Sequence, residues 1–156
     1  LNDLQLTDRG EARRRLGLCS TKKYILFTGA FENHVKNYPL AKAAMELFPE
    51  ADLMELKGYS RDEVTLLMCA ADALLMTSFT EGSPQVVKEA LACGCPVVSV
   101  DVGDVKELVE GVGGCYVCER IPSALAEKLK EAASFGRTFI HEGDEIIISE
   151  MCPASC

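Results

Sequence analysis

Apolar residues fall along this chain in two patterns: short unbroken blocks, and stretches in which they recur every three to four positions. The first predicts buried strands and the second predicts helices. KYILFTGA (23–30) is a block that closes on a glycine turn. NYPLAKAAMELFP (37–49) has helical spacing, with Pro39 near its start and Pro49 past its end. ADLMEL (51–56) predicts a strand. SRDEVTLLMCAA (60–71) predicts a helix opened by a capping box, Ser60 with Glu63 three residues on. DALLMTS (72–78) predicts the next strand. The following helix is expected to take Ser83 as N-cap and Pro84 as its first helical residue. Val86, Val87, Ala90 and Leu91 give that helix a buried face, and Gly94 suits a left-handed stop. PVVSV (96–100), DVKELVEG (104–111), GCYVC (114–118) and PSALAEKLKEAASFG (122–136) then predict strand, helix, strand and helix. A short basic helix, RGEARRRLGL, precedes the series. RTFIHEGDEIIISEM (137–151) breaks the rhythm and reads either as a hairpin turning at 141–144 or as a frayed helix.

Strand–helix alternation of this kind predicts an α/β fold, a three-layer Rossmann-like domain whose mostly parallel sheet is flanked by helices. PVVSV shows no alternation of polar and apolar positions, as expected of a strand covered on both faces. At 156 residues the chain is expected to form a single domain with a sizeable core. Such sheets bind ligands at the carboxyl ends of their strands, which singles out loops 28–37, 57–60, 77–84 and 101–104.

Charge narrows the classes. The formal net charge is −8 and no basic patch is visible, which argues against nucleic acid or an anionic membrane as partner. No apolar run approaches the ~18 residues of a membrane span. With no signal peptide and no initial Met, the chain is expected to be an excised or processed piece of a cytoplasmic protein. Eight cysteines are many for this length. CYVC (115–118) is the one C-x-x-C, it lies in strand-like sequence, and a zinc site would need a second pair. Scattered reduced thiols are the expectation, with no metal bound.

The candidate chemistry lies in SFTEGSPQVVKEALACGCPVVSVDVG (78–103). A helix N-terminus presents unpaired N–H groups and partial positive charge, a ready phosphate site. Gly82 lets the backbone approach a ligand closely. Glu81 precedes the helix, and Glu89 lies about 7–8 Å along its axis from Pro84 at 1.5 Å per residue. Two carboxylates that accept from hydroxyls, placed around one phosphate site, fit a sugar–diphosphate–ribose layout. Each also has an ordinary structural reading: Glu81 as favourable charge near a helix start, Glu89 as a solvated residue beside Lys88 or Gln85.

EGSPQVVKEALACGCPVVSVDVGDVKELV resembles the E-x7-E region of family 4 glycosyltransferases, the group 1 transferases of GT-B architecture. ADALLMTSFTEG, GYSRDEVTLLMCAAD and ILFTGAFENHVKNYPLAKAA resemble the segments that precede it, in order, and the likeness covers roughly residues 8–136. The resemblance implies the donor-binding, C-terminal domain of a retaining glycosyltransferase. Its donor would be a nucleoside-diphosphate sugar, UDP- or GDP-linked, with no metal or other cofactor. Glu81 takes the catalytic position, contacting donor-sugar hydroxyls. Gly82, Ser83 and Pro84 would line the sugar–diphosphate site, and Glu89 would hold the ribose. Lys36 matches the lysine that neutralises the diphosphate, Gly58 and Tyr59 the loop beside the base, and Thr28 and Gly29 the strand end near the phosphates. The partner implied is the protein's own N-terminal acceptor domain, through which any peripheral membrane contact would run.

This sequence departs from the pattern at Ala30 and Phe31, where the family usually has a phosphate-binding arginine. Asn33, His34 and Asn37 are the nearest polar substitutes. Ser83-Pro84 also replaces the usual aromatic-Gly pair. Two other readings compete with this one, the first of the same architecture and the second of a different class. A sugar-nucleotide epimerase half would need a Ser-Gly-Gly-rich phosphate loop, which TEGSP is not. A non-catalytic phospho-receiver would need an acidic cluster after the first strand and an Asp ending the third. Glu32 is the only acid near the first position, and the third strand ends in Thr77-Ser78.

Overall fold

A computed structural model describes residues 7–136 of the chain. The segment 137–151, with its hairpin-or-helix expectation, lies outside the described residues.

Five strands form one sheet in the order β2-β1-β3-β4-β5, every neighbouring pair parallel. They are β1 (Lys23–Phe27), β2 (Ala51–Met54), β3 (Ala73–Met76), β4 (Val97–Val100) and β5 (Tyr116–Cys118). The helices are α1 (Arg9–Leu16), α2 (Tyr38–Glu46), α3 (Arg61–Ala70), α4 (Gln85–Ala92), α5 (Val105–Val109) and α6 (Pro122–Phe135). α1 packs on α3, α3 on α4 and α4 on α5, while α2 packs on α6, so the helices divide between two faces. Right-handed crossovers demand that division. The step from β1 to β2 goes one way along the sheet and the later steps go the other, so their helices land on opposite sides.

The three central strands are buried on both faces. Ile25, Leu26, Phe27, Leu74, Leu75, Met76, Val97 and Val98 all have 0% exposure, whereas the edge strands β2 and β5 are only partly covered. This is why the central strands read as unbroken apolar blocks. The strands stop short of the apolar runs that predicted them: β1–β3 pairing ends at Phe27 opposite Leu75. Thr28, Gly29, Thr77 and Ser78 therefore belong to loops at the carboxyl edge.

At the opposite edge a buried network fastens α1 to the sheet. Asp72 accepts from Arg13 Nη2 (2.7 Å), Arg9 Nη1 (2.9 Å) and the Tyr24 amide (2.8 Å). Arg13 Nε donates to the Ala70 carbonyl, and its Nη1 to those of Cys19, Ser20 and Lys22. The guanidinium also lies 4.9 Å from the centre of the Tyr24 ring. The basic RGEARRRL segment is thus a docking device, and two of its arginines face inward. Among the described residues, no helix is long and apolar enough to cross a membrane.

Candidate functional site

The winding of the sheet reverses between β1 and β3, which are neighbours although α2, β2 and α3 separate them in sequence. Loops that leave two such strands diverge and open a crevice at the carboxyl edge. The β1 loop contains a single 3₁₀ turn, His34–Lys36, capped by the Asn33 side chain, which accepts from the Val35 amide (3.2 Å). Asn37 then takes a left-handed conformation (φ 60°) and starts α2. The β3 loop holds this turn in place. Thr77 Oγ1 lies 3.0 and 2.9 Å from the carbonyls of Lys36 and Asn37, and the Phe79 amide donates to the Val35 carbonyl (2.9 Å).

Between these two loops Lys36 Nζ meets Glu81 Oε2 at 2.9 Å. The same oxygen accepts from Ser78 Oγ at 2.7 Å. The lysine stem lies over Gly29, where a Cβ would come within 3.2 Å of Lys36 Cε, so the missing side chain is what lets the stem lie flat. The predicted diphosphate ligand and the predicted sugar-contacting carboxylate are thus partners here. Thr28 sits under this loop at 6% exposure, its Oγ1 buried without a hydrogen-bond partner.

The Glu81–Gly82 peptide is gripped from the β4 side. Gly103 has φ +56°, and a Cβ there would lie 2.2 Å from the Gly82 carbonyl oxygen, closer than atoms can approach. The Asp104 amide donates to that same oxygen (3.0 Å). From the loop after β5, Arg120 Nη1 donates to the Ser78 carbonyl (3.0 Å) and reaches the Thr77 carbonyl (3.5 Å).

The start of α4 differs from expectation by one residue. Pro84, not Ser83, is the N-cap, with extended backbone (φ −68°, ψ 118°), and Gln85 is the first helical residue. Proline has no side-chain acceptor, so no side chain caps this helix. Ser83 and Gly82 remain exposed ahead of the helix N-terminus, whose positive end is uncovered. The helix ends as expected, with Gly94 at φ 77°.

Glu89 faces α3. It lines a groove of about 280 Å³ together with Arg61, Val64, Thr65, Gln85, Lys88, Ala92 and Cys93. Gly58 (φ 80°) and the half-exposed Tyr59 stand before α3, and neither lines that groove. Where the resembling family has arginine, Phe31 stacks on Tyr38, ring centroids 4.2 Å apart. Of the polar substitutes, Asn33 is engaged in its own turn and Asn37 is buried at the start of α2. The His34 ring lies 6.4 Å from that of Phe79. Lys57 is a cation on the adjoining loop. It pairs with Glu32 at 2.9 Å, which raises its pKa through that hydrogen bond and charge.

Cys93 lines the groove beside Glu89, while Cys115 and Cys118 lie beside and on the edge strand β5. Burial pushes the thiols of Cys115 and Cys118 up to about 11 each. Both are therefore protonated near neutrality and poor nucleophiles or metal ligands. Among the described residues, no three His, Cys, Asp or Glu cluster as metal ligands.

A model of the family described as glycosyl transferases group 1 matches residues 38–134, more than half of the chain. The chain belongs to the group 1 glycosyltransferases. The D-inositol 3-phosphate glycosyltransferase of Mycolicibacterium gilvum is 29% identical over 169 aligned positions, covering 85% of this chain and 38% of that protein. The sucrose-phosphate synthase of Thermosynechococcus elongatus superposes with a TM-score of 0.74 at 19% identity, over 83% of this chain and 41% of that one. HepE of Anabaena, solved in complex with UDP and glucose, superposes with a TM-score of 0.68 at 20% identity, over 84% of this chain and 46% of that one. The two superpositions establish the α/β Rossmann-like fold shared with these proteins. This glycosyltransferase domain spans less than half the length of each of the three.

Sequence reasoning did not single out Ser78, Gly103 or Arg120. Ser78 carried a signal, a hydroxyl three residues before Glu81 at the end of an apolar strand. Gly103 lay in a watched loop with nothing to show what it touches. Arg120 had no local signal, because its carbonyl partners are 42 and 43 residues away.

Proposed function

We propose that this chain is the C-terminal, donor-binding domain of a retaining glycosyltransferase acting on a nucleoside-diphosphate sugar, UDP- or GDP-linked. The observation that carries the reading is the meeting of Lys36 and Glu81 over the β1/β3 crevice, beside an uncapped α4 N-terminus and a groove that holds Glu89. The diphosphate sits against Lys36 and the first-turn amides of α4, with exposed Gly82 and Ser83 allowing close approach. Ribose hydroxyls bond to Glu89, and the base lies along the α3–α4 groove toward Gly58 and Tyr59. The sugar's hydroxyls bond to Glu81. HepE, similar in fold, was solved with UDP and glucose, the two halves of such a donor.

As the glycosidic bond breaks, negative charge grows on the leaving diphosphate. Lys36, already turned to the phosphates of the bound donor, and the oriented α4 amides stabilise it with no metal. The acceptor site and remaining catalytic groups lie on an N-terminal domain of the longer, cytoplasmic protein, so this chain by itself binds donor without transferring sugar.

Calorimetric titration with UDP, UDP-glucose, GDP and GDP-mannose tests the assignment. With half the cleft present, dissociation constants from about 10 µM to millimolar are expected. Glu89→Ala should weaken the nucleoside diphosphate and the sugar-bearing donor alike. Glu81→Ala should weaken only the donor, each by roughly 1.5–3 kcal/mol. Equal effects of the two substitutions on both ligands would overturn the roles, and no binding of any ligand would overturn the reading.

A further inference from the structure

Glu81 Oε2 has two donors, and they differ in kind. Lys36 Nζ lies 2.9 Å away on a side chain 19% exposed, at the end of a flexible stem. Ser78 Oγ lies 2.7 Å away on a residue with 0% exposure, one turn of loop before the carboxylate itself. The Ser78 backbone is fixed in turn. Its carbonyl accepts from Arg120 Nη1 (3.0 Å), and the next amide donates to the Val35 carbonyl (2.9 Å). On the far side, Gly103 closes against the carbonyls of Glu81 and Gly82, and the Asp104 amide donates to the Gly82 carbonyl.

A diphosphate carries more negative charge than a carboxylate and offers more acceptor oxygens. When it arrives, it draws Lys36 away from Glu81, because one ammonium cannot serve both at full strength. Ser78 is then the buried donor left on Oε2. We infer that Ser78 is a positioning residue that keeps the Glu81 carboxylate aimed at the sugar once Lys36 has turned to the phosphates. This inference rests on the donor-site reading given above. Ser78 touches no ligand in it, and acts through Glu81 alone.

The consequence is selective. A chain without the Ser78 hydroxyl still has Lys36, the α4 amides and Glu89 for the nucleoside diphosphate. It lacks the second anchor on Glu81, so the carboxylate samples other orientations and contacts the sugar less often. A residue that merely supported the fold would weaken both ligands together.

The test is calorimetric titration of the full chain with UDP and UDP-glucose, and with GDP and GDP-mannose in parallel, on wild type, Ser78→Ala, Ser78→Thr and Glu81→Ala. Thermal melting of each variant establishes that it is folded. Ser78→Ala is expected to lose about 5–10-fold in affinity for the sugar-bearing donor, less than the loss of the charge-assisted Glu81 contact itself, and less than twofold for the nucleoside diphosphate. Ser78→Thr, which keeps a hydroxyl, should restore most of the difference. Glu81→Ala sets the ceiling of the effect. If Glu81→Ala weakens the sugar-bearing donor and Ser78→Ala does not, or Ser78→Ala weakens both ligands equally, the positioning role is overturned while the donor site stands. If Glu81→Ala changes nothing, or wild type binds none of the four ligands, the donor-site reading falls and takes the inference with it.

Discussion

The two edges of the sheet each hold an acid against basic side chains, and the two arrangements are unlike. At the amino edge Asp72 is saturated by two arginines and a backbone amide, and the Arg13 and Asp72 side chains are 4% and 2% exposed. Arg13 also donates to four backbone carbonyls. At the carboxyl edge both contacts of Glu81 fall on one oxygen, and its partner is a lysine rather than an arginine. That pair is 19% and 14% exposed. Arginine's planar fork suits a fixed, multiply bonded joint, while a lysine ammonium is a compact charge that can change partners. The first arrangement holds the domain together, and the second is the one that a ligand would open in the proposed donor site.

If this contrast is right, substitutions at the two edges should fail in different assays. The largest effect is expected from Asp72→Ala, which strands two guanidinium groups in the interior. Urea denaturation should show a loss of about 3–5 kcal/mol, a large part of the stability of a domain this size. A loss under about 1 kcal/mol would mean that the amino-edge network is no more structural than a surface pair.

Lys36→Ala should behave the other way. Stability should change by about 1 kcal/mol or less, as for other partly exposed pairs. Affinity for a nucleoside diphosphate should fall about tenfold or more, with little change for the bare nucleoside. The loss should shrink at high salt, where mobile ions screen a partly exposed charge over about 8–10 Å. Wild-type affinity in this variant would show that loop 30–37 does not carry the phosphate contact, leaving the α4 N-terminus to do so.

A pH-dependent effect concerns neither edge. Burial raises the Cys115 thiol to about 11, with the Val97 amide's hydrogen bond pulling the other way. A thiol freed by unfolding ionises near its usual ~8.5. The raised folded value means this contribution is fully present below that pH and is lost as pH climbs toward 11. Urea midpoints measured at pH 8 and pH 10.5 should fall with alkalinity, and Cys115→Ala should flatten the fall. An unchanged slope in the variant would show that other groups set it.

The fold was legible in the sequence and this contrast was not, and the reasons differ by region. The fold followed from apolar blocks because the central strands are covered on both faces, and the α3 capping box formed as spelled. The positions of Lys36, Glu81 and Glu89 followed from family resemblance and helix-start chemistry. The contact between Lys36 and Glu81 was not legible. It depends on two loops 45 residues apart meeting where the winding reverses. The one-residue error at the start of α4 has a local cause: Ser83 is a better side-chain cap than Pro84, yet the extended backbone of Pro84 places the first helical bond on its own carbonyl. Nothing in the sequence near Arg13 shows that it points inward, since arginine runs are usually solvated and its partner lies 59 residues away.

Gly103 has a mechanical consequence. With the carbonyl of Gly82 so near that not even a methyl group fits between them, and the Asp104 amide bonded to the same oxygen, the loops after β3 and β4 form one plate. Any side chain at residue 103 would have to part the two loops, so the backbone that carries Glu81 and the start of α5 are joined only while this position stays bare.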